Sequence, residues 1–308
     1  MPEGGFTGAD MARFPGEEQL QRSLAAFNEE RFTPGLPSAD WHRDVDRAAG
    51  WLHEEGEFLE ARRAAVAGRA AEAPRDADGF VAWFEALEQG GPGQDDPLFP
   101  WLAERATMAE MCWFLTQEVA GEAGFEDLSA LTQVKLPTRP KLEIARNYWD
   151  EMGRGNPKGM HGPLLETLAR RLGLEPRVET TVWESLALAN VMAGLAANRR
   201  YAYQSVGALG VIEQTAPGRA ALVAAGLKRL GVPTGDRHYF DLHAVLDVKH
   251  SAAWNAEAIH PLVAADPSLA PAIAEGALMR LECGAACFAR YRRELWGGAG
   301  ETHRSGLT

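Results

Sequence analysis

The sequence predicts an all-α protein, and three observations carry that prediction. Alanine, leucine, glutamate and arginine dominate the chain, and runs of β-branched residues are nearly absent. Glycines and prolines fall between segments of helical periodicity, where they punctuate helices. With 308 residues, 46% of them hydrophobic and 24% charged, the composition is that of an ordinary globular protein. Disorder and fibrous repeats are thereby excluded as descriptions of the whole. We expect a single all-α domain over residues 1–308, in which 1–95 form a helical extension packed on a core bundle over 96–298.

The elements follow in order. Residues 1–15 read as loose, and a first helix is expected over 17–28. Two prolines make 32–38 a loop, after which Ser38 or Asp40 can cap a helix over 41–68. A third helix covers 78–89, and the run GGPGQDDP at 90–97 is a turn-rich connector. One long helix is expected over 98–123. Beyond the PTRP segment at 137–140 a helix covers 141–152, GRGNP breaks it, and the next runs over 158–173. Helices over 179–216, with an interruption near Gly207 and Gly210, and over 220–230 come next. The last long pair covers 239–259 and 267–295. No strand pattern and no internal repeat is visible.

Thirty-one basic against 43 acidic residues give a net charge of −12, which is no footprint for nucleic acid or anionic lipid. No apolar run reaches the roughly 18 to 20 residues of a membrane span. The first residues lack a basic segment followed by an apolar one, so no secretory signal is expected. Three cysteines, Cys112, Cys283 and Cys287, are too few for a disulfide framework, and a reducing cytoplasm is the expected location. Cys283 and Cys287, four apart on an apolar stretch, read as core thiols, with a metal or redox pair as the alternative.

Several ionisable residues sit on apolar stripes. On the helix over 239–259, one face carries His243, Leu246 with Asp247, His250 and Trp254. Spacings of i, i+4 and i+7 put two imidazoles and a carboxylate within reach of a common centre. Glu118 shares a face with Met111, Phe114 and Leu115; Glu151 shares one with Ile144 and Tyr148. His161 opens the helix continued by Leu164, Leu165, Leu168 and Leu172, and Glu213 lines up with Val206 and Leu209. Four carboxylates and three imidazoles would then project into one bundle. Burying such carboxylates unpaired costs several kcal/mol each. Arg146, Arg199, Arg200 and Lys249 do not share their stripes. Two divalent cations would balance the charge, and mixed carboxylate and imidazole donors suit iron or manganese better than structural zinc. The ferritin-like arrangement needs a Glu-x-x-His pair on each of two helices. Only Glu257 with His260 offers one, and His260 precedes Pro261 at a helix end.

The ordered set Glu118, Glu151, His161, Glu213 and His243-x3-Asp247-x2-His250 resembles that of the haem-oxygenase-like di-iron oxidases, also called iron-containing redox enzymes. The local text is similar as well: FLTQE around Glu118, NYWDEMGRGNPKGMHG around Glu151 and His161, and GALGVIEQTAP around Glu213. Glu110, Glu122 and Glu126 compete with Glu118 for the first position. The resemblance covers residues 98–265 and implies a haem-oxygenase-like bundle of about seven core helices with extra N-terminal helices. It also implies two irons held by the seven residues, O2 as co-substrate, an external electron donor and a peroxo-di-iron(III) intermediate. The expected reaction is oxygenation of a small molecule in specialised metabolism. N-oxygenation of an amine comes first, with oxidative C–C cleavage or desaturation of an amino acid or fatty acid as the alternative. A small-molecule substrate, a reductase or chemical reductant and a homodimer are the expected partners, with neither nucleic acid nor membrane. An inert small-ligand-binding bundle is the more distant reading. A thiaminase-type hydrolase would need a cavity cysteine, and Cys112 lies one position off the apolar face.

Overall fold

The computed structural model describes residues 16–121 and 124–297. The expectation for residues 1–15 and the candidacy of Glu122 lie outside them. Among the described residues the chain is helical throughout and contains no strand. Three N-terminal helices, α1 (Glu17–Phe32), α2 (Trp41–Ala71) and α3 (Ala77–Gly90), lie against later ones. Asn28 on α1 donates to Asn190 at 2.9 Å on α9 (Trp183–Ala197). Arg63 on α2 pairs with Glu275 at 2.9 Å on α13 (Ala270–Gly297).

The expected single helix over 98–123 is two, α4 (Leu98–Glu104) and α5 (Met108–Gly121). Thr107 restarts the chain with a capping box: its hydroxyl accepts from the Glu110 amide at 3.3 Å, and the Glu110 carboxylate accepts the Thr107 amide at 2.7 Å. The T-x-x-E signature stands in the sequence. A short helix, α6 (Phe125–Thr132), follows where none was expected. The expected helix over 179–216 also divides, because the Asn198 side chain accepts the Arg200 amide and caps a new start. The second part, α10 (Ala202–Arg229), then runs unbroken through Pro217 and absorbs the segment expected as a separate helix over 220–230.

Gly207 and Gly210 do not interrupt α10; they let neighbours approach it. A Cβ at Gly207 would lie 1.9 Å from the Ile273 carbonyl oxygen of α13, and one at Gly276 of α13 would lie 1.8 Å from the Gln204 carbonyl oxygen. The two backbones therefore touch through reciprocal glycines. Gly210 admits the indole of Trp254, whose Nε1 donates to the Val206 carbonyl. Trp254 ends α11 (His238–Trp254), and one π turn at Asn255–Ile259 leads into α12 (His260–Ala265). Helix α10 is thus clasped between α11 and α13.

The loop between α7 (Thr138–Glu151) and α8 (His161–Leu172) sets the site's geometry. Gly153 takes a positive φ of 59°, and a Cβ there would stand 2.4 Å from the Gly159 carbonyl carbon. The chain folds back on itself and brings Glu151, last in α7, beside His161, first in α8.

Candidate metal centre

Four helices deliver donors to one buried point. Glu151 from α7, His161 from α8 and His243 from α11 place a ligating atom each within 4.8 Å of one another. Glu151, Glu213 from α10 and His250 from α11 do the same. Glu151 belongs to both groups, so the two donor sets adjoin through one carboxylate. His161 Nδ1 lies 2.6 Å from Glu151 Oε2 and 3.0 Å from His243 Nε2. His250 Nδ1 stands 3.4 Å from Glu213 Oε2 and 4.0 Å from Asp247 Oδ1. Asp247 is buried and lines the adjoining cavity.

Outer contacts orient these groups. His243 Nδ1 donates to the Tyr239 carbonyl at 2.7 Å, which leaves its Nε2 lone pair aimed inward. His250 Nε2 meets Asp150 Oδ2 at 3.2 Å, which directs Nδ1 at Glu213. Asp150 is itself tied to Arg154 at 2.6 Å. Asn147 donates to Glu213 Oε1 at 2.5 Å.

The protonation pattern records crowded charge. Burial pushes Glu151 well above the usual carboxylate range, and the charges of Glu213, Glu126 and Asp150 push it further. Burial brings both His161 and His243 down to about 4, helped by the charge of a neighbouring histidine in each case. Burial also opposes charge on His250, but Glu213, Asp150 and Glu151 outweigh it and raise its pKa. The upward shifts of Glu151 and His250 both favour a proton where several carboxylates crowd, the place a divalent cation would otherwise fill. His250 Nδ1 is buried with no hydrogen-bond partner of good geometry, as a nitrogen that ligates a metal would be.

The basic residues on these helices are engaged elsewhere. Arg146 pairs with Glu143, Arg199 donates to the carbonyls of Leu131 and Thr132, Arg200 pairs with Glu60, and Lys249 is exposed. Carboxylates and imidazoles without thiolate suit iron or manganese, so the donor set fits. Cys283 and Cys287 are buried in α13, and neither belongs to the donor groups. Glu257 pairs with Arg139 and His260 with Asp78, so that Glu-x-x-His pair takes no part.

Six of the seven sequence-selected residues thus meet. Glu118 lines the same cavity but accepts from Tyr291 Oη at 2.8 Å, and the charges that act on it are those of Arg280 and Arg219. Glu126, a competitor in the sequence, is close enough for its charge to act on Glu151 and His161, as that of Glu213 does. Its Oε1 occupies the space a Cβ on Gly162 would enter, 2.7 Å away, one residue past His161. Sequence reasoning missed Asp150, Asn147 and Tyr239. Asn147 was legible, since it precedes Glu151 by four and shares its face. Asp150 gains its role only from His250, which α11 brings against it.

An adjoining cavity of about 160 Å³ opens onto Glu151, Glu213, His243 and Asp247. Phe114, Leu128, Leu188, Met192, Ile212 and Phe288 give it apolar walls.

The all-α bundle around these converging carboxylates and imidazoles has the haem-oxygenase-like fold. The chain belongs to the iron-containing redox enzyme family, which it matches over residues 112–285. Among solved structures it is similar to a protein from Nostoc punctiforme PCC 73102 described as CADD-like and of unknown function. The TM-score is 0.52 at 18% identity, over 71% of this chain and 98% of that one, a likeness of fold. No curated protein matches. Among the described residues no helix is long and apolar enough to cross a membrane.

Proposed function

We propose that this protein is an O2-dependent di-iron oxygenase that oxidises a small molecule held in the cavity. The carrying observation is that two donor groups share Glu151 at the floor of an apolar cavity. Glu151, His161 and His243 would hold one iron, and Glu151, Glu213 and His250 would hold the other. Asp247 and Glu126 supply further carboxylates, with Glu126 rather than Glu118 completing the set. Bound iron supplies the reduction of O2 and the oxidation of the substrate. The chain's own residues orient the imidazoles, exclude bulk water and position the substrate. N-oxygenation of an amine is the first reaction to test: N–H becomes N–OH, the second oxygen atom leaves as water, and an external reductant supplies two electrons. Oxidative C–C cleavage or desaturation of an amino or fatty acid is the second reading, favoured by the apolar walls.

Anaerobic Fe(II) titration followed by an O2 pulse in stopped-flow absorbance tests this. Wild type should bind two irons and give a transient visible band, which His250→Ala and Glu213→Ala should lose. Glu126→Gln should weaken iron uptake and Glu118→Gln should not. Absence of iron uptake by wild type, with both alanine variants more stable than it, would leave a helical ligand-binding protein.

A further inference from the structure

The cavity has a second polar end that the donor groups do not use. Arg219 of α10 and Arg280 of α13 line it together with Glu118, Ser185 and Tyr291. Arg280, Gly284, Cys287 and Tyr291 recur along α13 at spacings that keep them on one buried stripe. An arginine on such a stripe is out of place unless something takes its charge.

Nothing among the described residues does so fully. Arg219 donates to Gln94 Oε1 at 3.2 Å and Thr215 Oγ1 at 3.0 Å, both neutral acceptors, and its guanidinium sits over the rings of Phe99 and Phe288. Arg280 has no hydrogen-bond partner among the described residues. Glu118 is the one acidic group of this end among the described residues, and neither guanidinium forms an ion pair with it. Its Oε1 is occupied by Tyr291, whose hydroxyl in turn accepts from Ser185 at 2.7 Å. Among the described residues of this end, two cations stand against one carboxylate, an excess of one positive charge beside phenylalanines and facing the cavity. Burial, and then the repulsion of Arg280, brings Arg219 down to about 9, so it stays charged near neutral pH.

We propose that Arg219 and Arg280 bind the carboxylate of a substrate with an apolar body, whose oxidisable group lies at the opposite end, against Glu151, Glu213 and His243. The proposal rests on the oxygenase reading and narrows its substrate to a carboxylic acid with no ammonium beside its carboxylate. On the N-oxygenation reading the amine is remote from the carboxylate and lies against the carboxylates of the donor groups. The charge balance decides for a lone carboxylate at the arginine end, since it cancels the excess and an α-amino acid brings its ammonium along. The apolar walls between the two ends decide for an aliphatic or aromatic body.

Calorimetry on the whole protein, metal-free and Mn(II)-loaded, tests this with octanoate, 8-aminooctanoate, 3-phenylpropionate, L-phenylalanine, octylamine and octan-1-ol. Octanoate, 3-phenylpropionate and 8-aminooctanoate, whose ammonium is remote from its carboxylate, should bind, and octylamine and octanol should not. Arg280→Met should weaken acid binding by about 10- to 100-fold, the loss expected for a charge-assisted hydrogen bond. Arg280→Lys should recover part of it. Because Arg280 makes no hydrogen bond among the described residues, Arg280→Met should leave the melting temperature of the free protein unchanged or higher, whereas a structural arginine would lower it. Equal acid binding by wild type and Arg280→Met overturns the proposal. So does tighter binding of L-phenylalanine than of 3-phenylpropionate, which would give Glu118 an ammonium to hold. Mn(II) uptake on the same samples separates the two readings: metal uptake without acid binding sinks only the carboxylate site, and acid binding without metal uptake sinks the oxygenase.

Discussion

Asp150 contacts His250 of the proposed iron-binding set, and its removal should weaken metal binding. Its Oδ2 meets His250 Nε2 at 3.2 Å, longer than the roughly 2.7–2.9 Å of a strong charge-assisted bond. Its other oxygen is held by Arg154, a residue whose side chain is 70% exposed. A carboxylate behind a metal-bound imidazole fixes the ring's tautomer and raises its basicity, and losing it typically costs about 10- to 100-fold in metal affinity. The long bond places Asp150→Asn at the lower end, about 10-fold or ~1.4 kcal/mol. The amide keeps the shape but loses the charge, and it can push the His250 proton onto Nδ1, the atom aimed at Glu213. Asp150→Ala, which releases the ring altogether, should approach 100-fold. Stability should change little, because Arg154 returns to solvent. Anaerobic titration with Fe(II) and with Mn(II), followed by absorbance and by electron paramagnetic resonance, reads both variants. If both bind metal within about twofold of wild type, the imidazole is positioned by packing and the reasoning is wrong.

Two further predictions concern the fold and its pH response. Gly207→Ala puts a methyl 1.9 Å from a backbone oxygen of α13. It should cost about 3 kcal/mol, roughly 6–12 °C in melting temperature. Thermal unfolding within about 1 °C of wild type would mean that α10 and α13 do not touch there. His161 and His243 titrate at about 4 in the folded chain against an ordinary 6.5. The unfolded chain therefore takes up their protons first as pH falls, and their contribution is full above 6.5 and is lost toward about 4. Urea denaturation of the metal-free protein from about pH 7 to about pH 5 should show a shallower loss for His243→Gln than for wild type, and equal slopes would contradict this.

The helical class was legible because composition and the 3.6-residue period are local properties. So were His243, Asp247 and His250, whose grouping follows from spacing along one helix. His161, Glu151 and Glu213 were legible as charges on apolar stripes. The capping box at Thr107 and the Asn198 cap were also written in the chain, as was Asn147. Other features depend on which helices cross and how closely. Glu118 and Glu126 compete in the sequence, and only the packing of α5 and α6 sets one against Tyr291 and the other near His161. Gly207 and Gly210 look like breakers until α13 and Trp254 arrive to fill the space they leave. Asp150 and the pair Arg219 and Arg280 gain meaning only from partners on distant helices. A sequence states which groups each helix presents, because the helix repeat is set by the backbone. Which groups share a low-dielectric interior is set by interhelical contacts, and there tertiary structure decided the centre and the charge left open beside it.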